Sequence, residues 1–188
     1  MDELATLVIE ETKDKMAKSI EHVKAEFGAV RTGRATPALV ESLMIDYYGT
    51  ATPLKSLAGF TVPDAKMLVI SPFDKSAMGA IEKAISASDL GITPNNDGQV
   101  IRLGFPPLTE ERRKELVKVV RHKAEEGKVQ VRNHRRSSRQ ELEQLEKDSS
   151  ISTDEHERLG KEIEKLTHSS IEAIDELLSH KEHELLAV

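Results

Sequence analysis

The chain has 188 residues, with 27 Lys and Arg against 33 Asp and Glu, a formal net charge of −6 and no cysteine. The missing thiols exclude disulfides, thiolate nucleophiles and Cys-bound metals. An aromatic content of 3%, without Trp, beside 32% charged residues suits long charged helices better than a β-sandwich. The opening "MDELATLVIEETKDK" is acidic and lacks the charge pattern of a signal peptide. No apolar run approaches the ~20 residues of a membrane span. A soluble cytoplasmic protein is expected.

In chain order, Ala5, Ile9, Thr12, Met16, Ile20, Val23, Phe27 and Val30 recur at steps of three and four, which predicts a first amphipathic helix. The composition then shifts. All seven prolines lie between Pro37 and Pro107, and only Phe27 among the six aromatics lies outside that window. Helix interiors reject proline, so a helical domain interrupted by a turn-rich insert is the simplest reading. The expected division is 1–30 with 106–188 for the helices and 31–105 for the insert. Within the insert, "SLMIDYYG", "GFTVP", "KMLVISPF" and "QVIRLGF" predict short strands bounded by Gly and Pro. "DKSAMGAIEKAISASDLG" predicts one helix, capped by Asp74 or Ser76 and ended by Gly91. "TPNNDGQ" predicts a hairpin turn. The chain crosses between domains near "VRTGR" and "LGFPP", and two single-strand crossings suggest a hinge.

Beyond the insert, Thr109 in "PPLTEERR" is placed as an N-cap, with Glu110 and Glu111 in the first turn. Val117, Val120, Ala124, Gly127, Val131, Ser138, Leu142 and Leu145 form the next stripe. A single helix over 110–147 would be about 57 Å long, and Gly127 inside it costs about 1 kcal/mol relative to Ala. Ser152 with Glu155 forms a capping box for a last helix striped by Leu159, Ile163, Leu166, Ser170, Ala173 and Leu177. Three long helices packed side by side are expected. Their stripes can satisfy one another, so a monomer is expected too.

Charge is uneven along the chain. Residues 112–139 hold eleven Lys or Arg and three Glu, a net of +8 against −14 for the rest. At ~100° per residue, Lys114, Lys118, Arg121, Lys128, Arg132, Arg135, Arg136 and Arg139 fall within about one third of the circumference. Glu125 is the only acid among them, so the usual sign alternation along a helix face is missing. Such clustering repels itself unless something offsets the charge, as a polyanion would. A row about 37 Å long can track a phosphate backbone. No aromatic occurs in 106–188, so folded RNA read through phosphates and shape fits better than a stacked single strand.

Catalytic parts are missing from the sequence: there is no GxGxxG, P-loop, HExxH or GxSxG motif. No histidine has a Glu three residues before it, as a di-metal bundle would require. His180 and His183 have a metal-compatible spacing, but histidines near a helix C-terminus are already favoured by its dipole. No metal or other cofactor is expected. Tyr47 and Tyr48 are expected to fill the insert's core and rim. A helical adaptor for an acidic protein or another folded RNA is the alternative, and a hydrolase is left with no pocket constellation.

"VRTGRATPALVESLMIDYYGTATPL", "EKAI" with "SDLGITPNNDG", "IRLGFPPLTEERRKEL" and "VRNHRR" resemble the bacterial ribosome recycling factor family, from about residue 12 to "HKEHELL". The resemblance implies an elongated, L-shaped α+β molecule of near-tRNA size, a three-helix bundle with an inserted small β/α/β domain. It further implies binding to the post-termination ribosome at the subunit interface, through large-subunit rRNA. Subunit splitting would use elongation factor G, which supplies the GTPase. By motif, Arg132, Arg135 and Arg136 match "VRNxRR", Arg112 and Arg113 match "EERR", and Arg31 and Arg34 match "RTGR". With Lys118, Arg121, Lys128 and Arg139, the arginines of "VRNxRR" and "EERR" are the expected ribosome contacts, and Arg31 and Arg34 lie near the expected hinge. Arg31, Thr32, Gly33, Gly104, Phe105, Pro106 and Pro107 are the expected hinge.

Overall fold

The computed structural model describes residues 3–187. The described residues of Met1–Phe27 and Val117–Val188 form one compact unit, and Gly28–Leu116 forms another. The protein is α+β.

In the helical unit, α1 (Glu3–Gly28) packs with α3 (Glu110–Lys147) and α4 (Thr153–Leu186). Residue 117 onward of α3 belongs to this unit. The apolar stripes meet: Ala5 and Ile9 of α1, Leu142 of α3, and Leu159 and Ile163 of α4 are buried together with Ile151. Farther along, Val23, Val120, Ala124, Val131 and Ile174 are all fully or almost fully buried. Gly127 lies in that region, where a side chain would collide with Val23. The glycine is therefore a packing residue, and its propensity cost accompanies close approach of three helices.

Helix ends follow local chemistry. Thr109 Oγ1 accepts from Arg112 N–H at 3.2 Å at the start of α3. Ser152 and Glu155 complete a reciprocal capping box at the start of α4. Between α3 and α4, Ser149 adopts a positive φ of 60°. The N–H of Ser150 then reaches Leu145 O and that of Ser149 reaches Glu146 O, which satisfies the last carbonyls of α3.

The second unit is built on strands. β1 (Met44–Tyr47) and β2 (Thr50–Pro53) form an antiparallel hairpin. Its two-residue turn, Tyr48-Gly49, has positive φ at both positions, as a type I′ turn requires. β3 (Ala58–Asp64), β4 (Met67–Pro72), β5 (Asn95–Asn96) and β6 (Ile101–Gly104) make an antiparallel sheet in the order β3-β4-β6-β5. α2 (Met78–Ala87) places Met78, Ile81 and Ile85 in the core with Leu68, Ile70, Ile101 and Leu103.

Two strands escaped the sequence patterns. β2 is Thr-Ala-Thr-Pro with no buried residue, and β5 is two asparagines, so neither has an apolar period to detect. α2 also stops sooner than Gly91 suggested. Asp74 caps a short 3₁₀ turn leading into it, and Ser88 ends it, with Oγ donating to Ile85 O at 2.6 Å. Tyr47 is partly buried against the core and bonds Asp74 at 2.7 Å, whereas Tyr48 lies on the rim, exposed, with its hydroxyl 2.9 Å from Ser76 Oγ.

The "NNDGQ" segment joins β5 to β6 as expected of a hairpin turn, with Gly98 at φ 85°. Asp97 organises it. The carboxylate accepts from the N–H groups of Gln99 and Val100, both at 2.9 Å, and pairs with Arg102. Val100 N–H first, then the Arg102 side chain and Gln99 N–H, lower the Asp97 pKa to about 2. The folded value lies below the unfolded one, so this contribution is present above the ordinary aspartate range and is lost as pH falls through about 2. In acid titrations of stability, Asp97→Asn is expected to flatten the decline below pH ~4. An unchanged acid limb would mean that the turn holds without this charge.

Candidate nucleic-acid interface

The predicted stripe lies on α3, and its residues divide by partner. Arg112, Arg113 and Lys114, in the first turns of α3, belong to the sheet unit. Arg112 pairs with Glu115 at 2.8 Å and Lys114 with Glu110 at 2.7 Å. Arg113 is half-buried, near Gly33.

In the helical unit a second row of charge meets the stripe. Arg121 pairs with Glu182, Lys128 with Asp175 and Glu125, and Arg135 and Arg139 with Glu164 at 3.5 and 2.9 Å. From Arg121 to Lys128 to Arg139 the steps are seven and eleven. Glu182, Asp175 and Glu164 repeat those steps in the opposite direction, which is the constant register of an antiparallel pair. The acids of α4 therefore offset part of the clustered charge.

The rotational order of the stripe explains which cations remain. Taking Lys118 as zero at ~100° per residue, Arg121, Lys128, Arg135 and Arg139 lie about 60–100° to one side. That side faces the acids of α4. Lys118 and Arg136 lie at the opposite edge and Arg132 about 40° in. These three are exposed and make no hydrogen bond or ion pair among the described residues. Lys128 is different in kind, since only 12% of its side chain is accessible and Asp175, followed by Glu125, holds its pKa up against burial.

Arg132, Arg135, Arg136 and Arg139 line one shallow depression, with His156 at its side. His156 Nδ1 pairs with Glu146 across the α3–α4 turn at 2.5 Å. The opposite side of α3 faces α1, where Lys123 meets Glu26 at 3.1 Å and His134 lies 3.2 Å from Ser19.

The α4 acids escaped the sequence reading. They had a signal: Glu164, Asp175 and Glu182 lie within about 20° of one another on a helical wheel. An acidic row with the spacing of the basic row on the neighbouring helix is a recognisable seam.

The expected hinge residues sit within the sheet unit. Arg31 donates to the carbonyl of Pro106, and its guanidinium lies 5.7 Å from the centre of the Phe105 ring. Burial, then repulsion from Arg112, pushes the Arg31 pKa down. Phe105 is 2% exposed and its N–H bonds Lys66 O, while Gly104, Pro106 and Pro107 are exposed. Thr32 and Gly33 are half-buried, and Gly33 has φ 92°. Arg31 thus ties these two segments of the sheet unit to each other.

Among the described residues, no helix is long and apolar enough to cross a membrane. Nor does any group of three or more His, Asp or Glu there have the arrangement to hold a metal ion.

These features define an α+β protein whose distinguishing surface is a cationic helix edge. The profile of the Ribosome recycling factor family matches residues 23–186. The ribosome-recycling factor of Carboxydothermus hydrogenoformans is 54% identical over 181 residues, covering 96% of this chain and 98% of that protein. That of Synechocystis sp. is 56% identical over 178 residues, covering 95% and 98%. A solution structure of the ribosome recycling factor matches with a TM-score of 0.76 and 40% identity over the whole of both chains. A structure of the T. thermophilus ribosome recycling factor and the E. coli elongation factor G bound to the E. coli post-termination complex matches with a TM-score of 0.66. It is 44% identical and covers 97% and 99% of the two chains. The chain belongs to the ribosome recycling factor family.

Proposed function

We propose that this protein binds the post-termination ribosome through large-subunit rRNA and, with elongation factor G and GTP, splits it into subunits for another round of translation. The observation that carries this is the unpaired outer edge of α3 at Lys118, Arg132 and Arg136, in a chain that matches the family over 23–186. A helix that presents cations at a fixed backbone spacing suits an A-form surface read by phosphate spacing. Arg121, Lys128, Arg135 and Arg139 flank that outer edge within the helical unit, and Arg112 and Arg113 are further contacts that the sheet unit supplies.

The division of labour follows from charge and connectivity. The helical unit anchors on RNA, and the sheet unit is moved by elongation factor G, which performs the GTP hydrolysis. The protein contributes no chemistry of its own and acts in the cytoplasm as a monomer. The segments holding Arg31, Thr32, Gly33, Gly104, Phe105, Pro106 and Pro107 serve as the hinge. Arg31 holds them together, so the two segments turn as one piece.

Light scattering of post-termination ribosomes mixed with this protein, elongation factor G and GTP tests the proposal. A fall in scattering that requires all three components is expected. Ribosome binding without a fall, in the presence of a cognate elongation factor G, would leave an RNA-docked adaptor instead.

A further inference from the structure

Glu164 has an unusual place in the α3–α4 seam. Its Oε1 lies 2.9 Å from Arg139 Nη1 and its Oε2 3.5 Å from Arg135 Nη1, so one carboxylate spans two arginines one helical turn apart. Neither of the other two seam acids does this. Among the described residues Glu182 pairs with Arg121 alone, and Asp175 meets a largely buried lysine. Around Glu164 all three side chains are about half exposed, at 44%, 49% and 45% for Arg135, Arg139 and Glu164. Ion pairs of that exposure are screened by water and salt and open readily.

A guanidinium binds a phosphate with the same fork geometry that it uses for a carboxylate. Glu164 therefore occupies a place on Arg135 and Arg139 that a phosphate could take. The unpaired Arg132 and Arg136 line the same depression. A phosphate backbone reaching this surface meets two available arginines and two already holding a carboxylate.

We propose that Glu164 is a built-in competitor for phosphate, and so a specificity-determining residue of the RNA-docking surface. It withholds Arg135 and Arg139 from generic polyanions. It releases them where RNA docked on Arg132 and Arg136 brings further phosphates to the seam at the right spacing. A weak hold suffices, because the role requires exchange rather than stability. The net charge of −14 outside residues 112–139 acts in the same direction at longer range. This inference rests on the RNA-docking role proposed above.

Glu164→Gln keeps the size of the side chain and removes its charge. The probes are an RNA duplex of about 20 base pairs, as a generic A-form polyanion, and purified bacterial ribosomes. The variant is expected to bind the duplex about fivefold tighter, the yield of freeing two exposed arginines. Its log–log salt slope should steepen by roughly 0.9 to 1.8, or one to two phosphates by the B-DNA value. Ribosome affinity should rise less, so that discrimination between the two RNAs falls. The gain should vanish when Arg135→Ala and Arg139→Ala are placed in the same chain.

Unchanged or weakened duplex binding by Glu164→Gln would overturn the proposal, leaving Glu164 to hold the arginines in position. Arg132→Ala measured in parallel separates the two levels. If it weakens ribosome binding while Glu164→Gln leaves duplex binding unchanged, the competitor role alone fails. If neither substitution alters binding to either probe, the RNA-docking role fails with it.

Discussion

Gly127→Ala is expected to destabilise the helical unit by about 2 kcal/mol, although alanine is the better helix former by about 1 kcal/mol. A Cβ built at Gly127 falls well inside van der Waals contact with Val23 Cγ2 and lies 3.5 Å from Ile174 Cδ1. Both neighbours are fully buried. Val23 is β-branched and held by its helix to one preferred χ1 rotamer, so it cannot swing aside cheaply. Relief must come from moving a helix, which disturbs contacts along the bundle.

Chemical denaturation reads the loss as a lower midpoint at unchanged slope. Val23→Ala should destabilise as well, by removing buried methyls. The double variant should recover most of both losses, since the new methyl enters the vacated space. Strict additivity would place the clash elsewhere. A Gly127→Ala protein more stable than the parent would show that the helices have room to separate.

Arg132→Ala is expected to weaken ribosome binding roughly tenfold or more, the loss of one charge-assisted contact to phosphate. The log–log salt dependence should flatten by about 0.9, one phosphate by the B-DNA value. Stability should hold, because the Arg132 side chain is exposed and has no partner among the described residues. Lys128→Ala is the informative contrast. Lys128 lies on the same stripe, but its ammonium pairs with Asp175 and Glu125 and its stem is largely covered. Its removal should lower stability by about 1 kcal/mol and leave the salt slope nearly unchanged. A slope unchanged in Arg132→Ala as well would remove the outer edge of α3 from the RNA interface.

The extent of α3 and the start of α4 were legible because their determinants are local. Thr109, Ser152 with Glu155, and the confinement of proline to residues 37–107 set the ends of α3 and α4 through capping bonds and excluded ring clashes. The core was legible for the same reason: a period of three to four residues places apolar side chains on one face whatever they pack against. β2 and β5 were not legible, since strands of two to four residues with no buried side chain depend on a partner strand rather than on an apolar alternation. The turn at Gly98 was legible where β5 was not, because its Asn-Asp-Gly content suits a positive φ.

The candidate site divides in the same way. Residue order along α3 determined that the cations share a face, because the helical period is a property of one element. Which cations are available was decided by α4, which brings Glu164, Asp175 and Glu182 beside residues 25 to 61 positions away in the chain. The meaning of Gly127 was decided there too, since a glycine that weakens a lone helix is required where three helices approach closely. Short-range sterics, capping and period are written in consecutive residues and determine the elements. Charge neutralisation and close packing depend on distance between elements, and only the tertiary structure sets that distance.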